Sequence, residues 1–585
     1  MKKFIQKPLQ ALNRHLGLWK EAVHQASLLE MARQRVFAAG VVMAISYVTI
    51  AGRLIDVMTA QSHVHSYQQA QSEVNVYPRG EIFDRNGNIL ATHLVTASVY
   101  TNPKVVLNAK DAATKLAKLF PEVGYETLYK RLSSGKGFSW LIRHIPPRMQ
   151  QAVNELGIPG IYLQNDYKRV YPYGHLTSHI VGYCGIDNAG LAGIEQYYNT
   201  KLLKENEPVH LSLDVRLQHI VHEVLTDAMA KYKAEGANAM IMDVKTGEML
   251  AMISLPDFDP NRLNKVMGKN CGFNRNTLGA YEPGSTWKIL NTAIALESGH
   301  ATLKSIFDAS APVRLGRFKI TDFKGKNRPL TLTEGLVYSS NIVAIKAAQK
   351  FGVQTQKEYF KKLGVTQSPS LEIPEMGRPI IPSLAAWKEA TLMTASYGYG
   401  IAVTPLQMMT VIGTIINNGQ SIKPTLIHLP NDQRPAVLQT KSEAEPIISL
   451  KTSHAIREML RMVVKNAQVR KVDVKGYEVI GKTGTALQNK GRGYNGIDRN
   501  AYFVGAFPMS DPQIMVFVML DNPKPIAETH NYATGGWNAS PTAGHIIERI
   551  APLLGFQPSE EESPMKYIQT ETPASGLINT SLKTR

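Results

Sequence analysis

The stretch Tyr281-Glu-Pro-Gly-Ser285-Thr-Trp-Lys288 places a hydroxyl and an amine one helical turn apart. Pro-Gly stops the preceding chain, and a helical pattern runs from Ser285 to Gly299, so Ser285 and Lys288 should share a face. A serine hydroxyl is a weak nucleophile and needs a base beside it. A lysine can be that base when burial or a second cation lowers its pKa. The N-terminus of the helix offers free backbone N–H groups and positive potential where an oxyanion would form. The chemistry these residues suit is acyl transfer through an acyl-serine.

Ser-x-x-Lys occurs three times in the chain, so by itself it says little. Ser133/Lys136 lies in a glycine-containing loop, and Ser563/Lys566 has a proline between its members. Ser285 is singled out by two later stretches. Ser339-Ser340-Asn341 is the only S-x-N and stands just before a helical pattern, where Ser339 could relay a proton and Asn341 could hold a substrate amide. Lys482-Thr483-Gly484-Thr485 lies on a predicted strand. Lys482 would be the second cation, keeping Lys288 neutral and attracting a carboxylate, to which Thr483 and Thr485 would offer hydroxyls. Gly484 would leave room for substrate along the strand, and the N–H of Thr485 would join that of Ser285 as an oxyanion donor.

Two other matches are read as structural. Lys245-Thr246-Gly247 joins two predicted strands, Ala237–Asp243 and Glu248–Ser254, as a hairpin turn. Residues Gly476 to Thr483 satisfy the phosphate-loop pattern, but the middle residues are strand-like and no helix follows, so no nucleotide site is expected. Trp287 is read as a wall of the active-site helix. The sixteen histidines show no metal-ligand spacing, so neither metal nor cofactor is expected.

These residues must be positioned by a large chain. Its 585 residues imply several units, and 44% hydrophobic with 19% charged residues is ordinary globular composition. A net charge of +18 suits work near anionic lipid or an anionic polymer. No nucleic-acid fingerprint accompanies it, and no nucleic-acid partner is expected. Two cysteines, Cys184 and Cys271, exclude a disulfide framework. Residues 36–52 are uncharged and apolar, and Lys2, Lys3, Lys7, Arg14, Lys20, Arg33 and Arg35 precede them. That predicts a single membrane span with the N-terminus in the cytoplasm and the rest of the chain outside. Residues 54–75 read as a polar helix or stalk, and a polar break at Glu205–Pro208 marks a boundary before a large α/β unit. Within it Val215–Tyr232 and His454–Asn466 are predicted helices, followed by strands at Tyr477–Ala486, Ala501–Ala506 and Ile514–Leu520 and a helix at Thr542–Leu554. From 557 the Glu-, Ser-, Pro- and Thr-rich composition predicts a disordered tail.

With Ser285/Lys288, Ser339/Asn341 and Lys482–Thr485 in that order, the chain resembles the class B penicillin-binding proteins. The resemblance extends from residue 36 to about 555. Arg79-Gly-Glu-Ile-Phe-Asp84-Arg-Asn-Gly87, Arg169-Val-Tyr-Pro-Tyr-Gly174 and Gly190-Leu-Ala-Gly-Ile-Glu195 match the family's N-terminal motifs, which implies structural roles. Phe138-Ser-Trp-Leu-Ile-Arg143, Tyr397-Gly-Tyr-Gly400 with Thr404–Gln407, and Phe503–Pro508 are similar to the division-specific FtsI branch, and Gly535–Leu554 is similar to its alphaproteobacterial versions.

The fold this implies is α/β (α+β). A single transmembrane helix precedes an elongated pedestal and a penicillin-binding/β-lactamase-like domain with a central antiparallel sheet flanked by helices. The divisions are a basic cytoplasmic segment 1–35, a span 36–55, a pedestal (dimerisation-type) domain 56–206, a transpeptidase domain 207–556 and the tail 557–585. The implied activity is that of a peptidoglycan D,D-transpeptidase acting at the septum, anchored in the inner membrane with its catalytic domain in the periplasm. Implied partners are stem peptides (a D-Ala-D-Ala donor and an amine acceptor), β-lactams, a membrane lipid II polymerase and other division proteins. A β-lactamase or carboxypeptidase using water, an elongation-type transpeptidase and a non-catalytic division scaffold are the alternatives.

Overall fold

The computed structural model describes residues 28–70, 78–263, 270–466, 469–489 and 493–571. It divides into two units, one ending at Val76 and the other beginning at Tyr77. Of the expected cytoplasmic segment 1–35, residues 1–27 lie outside the described residues.

The first unit is one helix, α1 (Leu28–Ala70). Its Arg35–Asp56 stretch is long and apolar enough to cross a membrane. Those 22 residues span about 33 Å of helix, close to the thickness of a bilayer's hydrocarbon core. Two of the hydroxyls within it are satisfied locally: Ser46 Oγ donates to Val42 O at 2.9 Å and Thr49 Oγ1 to Ile45 O at 2.7 Å. Lipid could not satisfy them. The predicted polar stalk continues this same helix as far as residue 70, and residues 71–75 lie outside the described set.

The second unit begins with a sheet built around β2 (Ile89–Thr101). Its antiparallel neighbours are β1 (Ile82–Phe83), β3 (Ser139–Ile145) and β4 (Ile161–Val170), and β1 also pairs in parallel with β5 (Val209–His210). Two amphipathic helices, α2 (Ala109–Leu119) and α3 (Tyr125–Leu132), bury Leu116 and Leu128 in a core with Val99 and Leu141. The polar break at 205–208 is not a break in packing. Ile82, Leu90, Tyr171, Ile180 and Val209 belong to the same core as the sheet that follows.

The three N-terminal motifs meet in one buried knot. Glu195, fully buried, accepts from Arg79 Nε at 2.5 Å and from Arg169 Nε at 2.7 Å. Arg79 also donates to Asn188 O and Asn199 Oδ1. Asp84 of the first motif accepts from the Asn86 and Asn88 N–H groups and from Val215 N at 3.2 Å, joining this region to the first residue of α4 (Val215–Lys231). Buried charges need such pairing, because an unmatched one is costly.

Beyond α4 lies a five-stranded antiparallel sheet in the order β8-β9-β10-β6-β7. Its strands are β6 (Gly236–Asp243), β7 (Met249–Leu255), β8 (Ile480–Asn489), β9 (Tyr494–Phe507) and β10 (Ile514–Asp521). β10 is an apolar run buried nearly throughout, as a strand covered on both faces must be. α4 and α8 (Ala539–Leu553) pack together on the sheet. A second group packs against it: α5 (Lys288–Glu297), α6 (Pro405–Ile416) and α7 (Leu450–Lys465). Lys245–Gly247 is the β6–β7 turn, with Gly247 at φ 85°. β8 starts at Ile480, later than Tyr477, because Glu478 takes φ 46° and bends the chain.

The tail departs from its composition. Residues 557–571 are ordered against α7 and include a short helix, Lys566–Glu571. Glu478 accepts from Ser563, Glu458 accepts from the N–H groups of Tyr567 and Ile568, and Arg461 pairs with Glu562 at 3.0 Å. Carboxylates of the folded domain thus supply partners that a polar segment lacks on its own. Residues 572–585 lie outside the described set.

Candidate active site

Ser285 stands on a short 3-10 turn, Gly284–Trp287, and α5 continues from Lys288. The sequence predicts a helix here; its first turn is wound tighter. The turn is anchored on every side. Thr286 Oγ1 donates to Pro283 O at 2.6 Å, and Trp287 is fully buried, edge-on to Phe360. The Gly284 N–H donates to Gly398 O at 3.0 Å. Gly284 and Gly398 both have positive φ, 53° and 84°, and a Cβ on Gly398 would stand 2.6 Å from Gly284 N. Only glycines allow that approach. Tyr397–Gly400 therefore buttresses the serine turn from behind.

The same turn lies against the edge strand β8. A Cβ on Gly284 would be 3.0 Å from Thr485 O. A Cβ on Gly484 would meet Thr286 Cγ2 at 2.9 Å and the ring of Tyr502 at 3.2 Å. Gly484 was expected to clear space for substrate. Its missing side chain instead admits the serine turn and the neighbouring strand.

Two of the predicted residues, Lys288 and Lys482, converge on the hydroxyl of a third, Ser339. Lys288 Nζ donates to Ser339 O at 2.6 Å and to Ser339 Oγ at 3.2 Å. Lys482 Nζ donates to the same Oγ at 3.0 Å and to Thr483 O at 3.3 Å. Ser339 sits at φ 58°, a strained corner between two helices that turns its hydroxyl toward both amines. The Lys288 amine is taken up by Ser339, and among the described residues no hydrogen bond joins it to Ser285 Oγ. Asn341 opens a helix (Asn341–Lys362), and its Nδ2 donates to Thr321 O at 2.8 Å. Thr483 and Thr485 are partly exposed on β8, and Thr485 Oγ1 accepts from Gly535 N at 3.1 Å.

Both lysines are nearly fully buried. Burial holds the Lys288 amine well below the ordinary lysine range, the nearby Lys482 cation pushes the same way, and Asp322 opposes them. Burial alone brings Lys482 down to about 8. A neutral Lys288 can accept a proton near neutral pH, the condition a serine nucleophile requires.

Sequence reasoning missed several supporting residues. Asp322 accepts from Ser340 Oγ at 2.6 Å and from the N–H groups of Asn341 and Ile342, fixing the Ser339 corner. Only its place in a Gly- and Lys-rich loop precedes it in sequence, and no local pattern marks it. Glu282 accepts from Gly400 N at 2.9 Å and from the Tyr494 hydroxyl at 2.8 Å, and burial pushes its carboxyl up. Around Ser285 no cluster of metal-ligating side chains occurs among the described residues.

Comparison with known proteins matches residues 237–548 to the penicillin binding protein transpeptidase domain and residues 75–216 to the penicillin-binding protein dimerisation domain. The chain is 33% identical to the probable peptidoglycan D,D-transpeptidase FtsI of Caulobacter vibrioides, covering 83% of this chain and 82% of the relative. It is 28% identical to the peptidoglycan D,D-transpeptidase FtsI of Escherichia coli, over 82% and 84% of the two chains. A peptidoglycan synthetase structure from Bifidobacterium adolescentis shares the fold, with TM-score 0.65 and 22% identity over 83% of this chain and 97% of that one.

Proposed function

Since the chain belongs to the penicillin-binding protein transpeptidase family, we propose that it is a septal peptidoglycan D,D-transpeptidase working through an acyl-enzyme on Ser285. The observation that carries the reading is the Ser339 hydroxyl held between two buried amines, beside a serine turn locked onto β8.

Lys288, neutral, takes the Ser285 proton as Oγ attacks the penultimate D-Ala carbonyl. The N–H groups of Ser285 and Thr485 hold the oxyanion. Lys482, Thr483 and Thr485 bind the terminal carboxylate, with Gly484 keeping β8 against the serine turn, and Asn341 positions the peptide. The amide breaks, an ester to Ser285 Oγ forms, and the proton passes from Lys288 through Ser339 to the departing D-alanine nitrogen. An acceptor amine then attacks the ester, its proton returns along the same path to Ser285 Oγ, and a new amide remains. β-Lactams enter at the first step and stop there.

Residues 36–55 would anchor the chain in the inner membrane with the basic N-terminus in the cytoplasm. The region from 56 to 206 would serve as pedestal and the region from 207 to 556 as the transpeptidase. A lipid II polymerase and other division proteins would be its partners. The test is product analysis with a peptide ending in D-Ala-D-Ala plus an amine acceptor. A new amide is expected, whereas hydrolysis alone would mark the protein as a carboxypeptidase. A fluorescent fusion should gather at midcell, and lateral-wall placement would favour the elongation role.

A further inference from the structure

His175, His222 and Asp257 come together far from one another in sequence and outside the groups that surround Ser285. His175 lies on a 3-10 turn (Gly174–Thr177), His222 on α4, and Asp257 just after β7. His222 Nε2 is 2.9 Å from Asp257 Oδ2, and the two imidazole rings have centroids 4.8 Å apart. One donor atom from each of the three lies within 4.8 Å of the other two. We propose that these three side chains form a binding site for a zinc-class divalent cation, clasping the Gly174–Thr177 turn to the transpeptidase core.

Two imidazoles and a carboxylate are a donor set that borderline divalent ions prefer. A tetrahedral zinc ion with bonds of about 2.0–2.1 Å sets its donors roughly 3.3 Å apart. The His222–Asp257 pair already stands near that spacing. His175 is exposed and can close the remaining gap by side-chain rotation, leaving the fourth position for water and an open path for the ion. An ordinary hydrogen bond accounts for His222 and Asp257, but it gives no reason for a second imidazole beside them.

The frame beneath the three residues is rigid. Gln218, fully buried one helical turn before His222, donates to Leu176 O at 2.7 Å and accepts from Met252 N at 2.6 Å. One side chain thus fixes the turn carrying His175, the helix carrying His222 and the strand leading to Asp257, as a support for metal ligands should. Spacing along the sequence conceals this site because each ligand comes from a different element.

The test is calorimetric titration of zinc chloride into the tag-free full-length chain, stripped with EDTA and held in detergent. One ion per chain is expected with a dissociation constant of about 10 μM or tighter, together with a higher unfolding temperature in zinc. His175→Gln, His222→Gln and Asp257→Asn should each weaken that binding at least tenfold. His175→Gln is the deciding variant: its side chain is exposed, so it should melt like the parent in EDTA while losing the zinc-dependent rise. Cobalt bound in place of zinc should give the visible absorption of a four-coordinate ion. No stoichiometric binding, or binding undiminished in His175→Gln, would overturn the proposal.

Discussion

Replacing Gly398 by alanine should slow acylation of Ser285 about a hundredfold while leaving the protein folded. Two effects act at this position. Alanine at φ 84° costs about 1–2 kcal/mol of backbone strain. Its Cβ would also stand 2.6 Å from Gly284 N and 2.8 Å from Gly284 C. Ordinary contact needs about 3.5 Å, so the serine turn or residue 398 must yield by roughly 1 Å. A displacement of that size at a reacting group costs on the order of a hundredfold in rate. Gly299→Ala separates the two effects. Gly299 has a similar φ of 72°, yet nothing lies within 4 Å of the added carbon. It should lose comparable stability and acylate normally. The assay is the second-order rate of labelling by a fluorescent penicillin, with thermal unfolding of each variant measured alongside. Wild-type labelling by Gly398→Ala, or an equal loss in Gly299→Ala, would refute the reasoning.

Other outcomes follow from the same structure. The acylation rate should climb with pH as Lys288 loses its proton, at a pH below the ordinary lysine range. Lys482→Met removes the second cation, so the acid limb of the pH–rate profile should move to higher pH, and an unmoved limb would exclude that coupling. Lys482 has a folded pKa of about 8, below its unfolded value, so its contribution to stability should rise between about pH 8 and 10.5, as denaturant unfolding across that range can show. Arg79→Met should destabilise the protein by about 3–5 kcal/mol in denaturant unfolding, because the Glu195 carboxylate and three carbonyl-type acceptors (Asn188 O, Asn199 Oδ1 and Glu195 O) lose a buried donor. Truncation after residue 556 should lower the unfolding temperature by removing Glu562 from Arg461 and the N–H donors from Glu458. An unchanged midpoint would show that this tail contributes nothing.

The groups proposed to react are legible because each lies in a short, ordered pattern whose chemistry demands the others. Of these, Lys288, Ser339 and Lys482 stand together in the structure. The strand at Ile514–Leu520 is readable as an apolar run, whereas the antiparallel order of the sheet is what the family resemblance implies. What holds the groups in place was less visible. Asp322 acts through a loop closure that no local periodicity encodes. Gly484 reads as a gap for substrate, since a sequence does not say which way an absent side chain would point. Arg79, Arg169 and Glu195 stood in three recognisable stretches, but their meeting is a tertiary fact. Residues 557–571 have the composition of a disordered segment and are ordered by carboxylates more than 80 residues away in the chain.

The most direct test is to label the intact protein with a fluorescent penicillin, digest it and map the adduct. A single penicilloyl group on Ser285 is expected. An adduct on Ser339 or any other residue, or none on a protein shown to be folded, would contradict it.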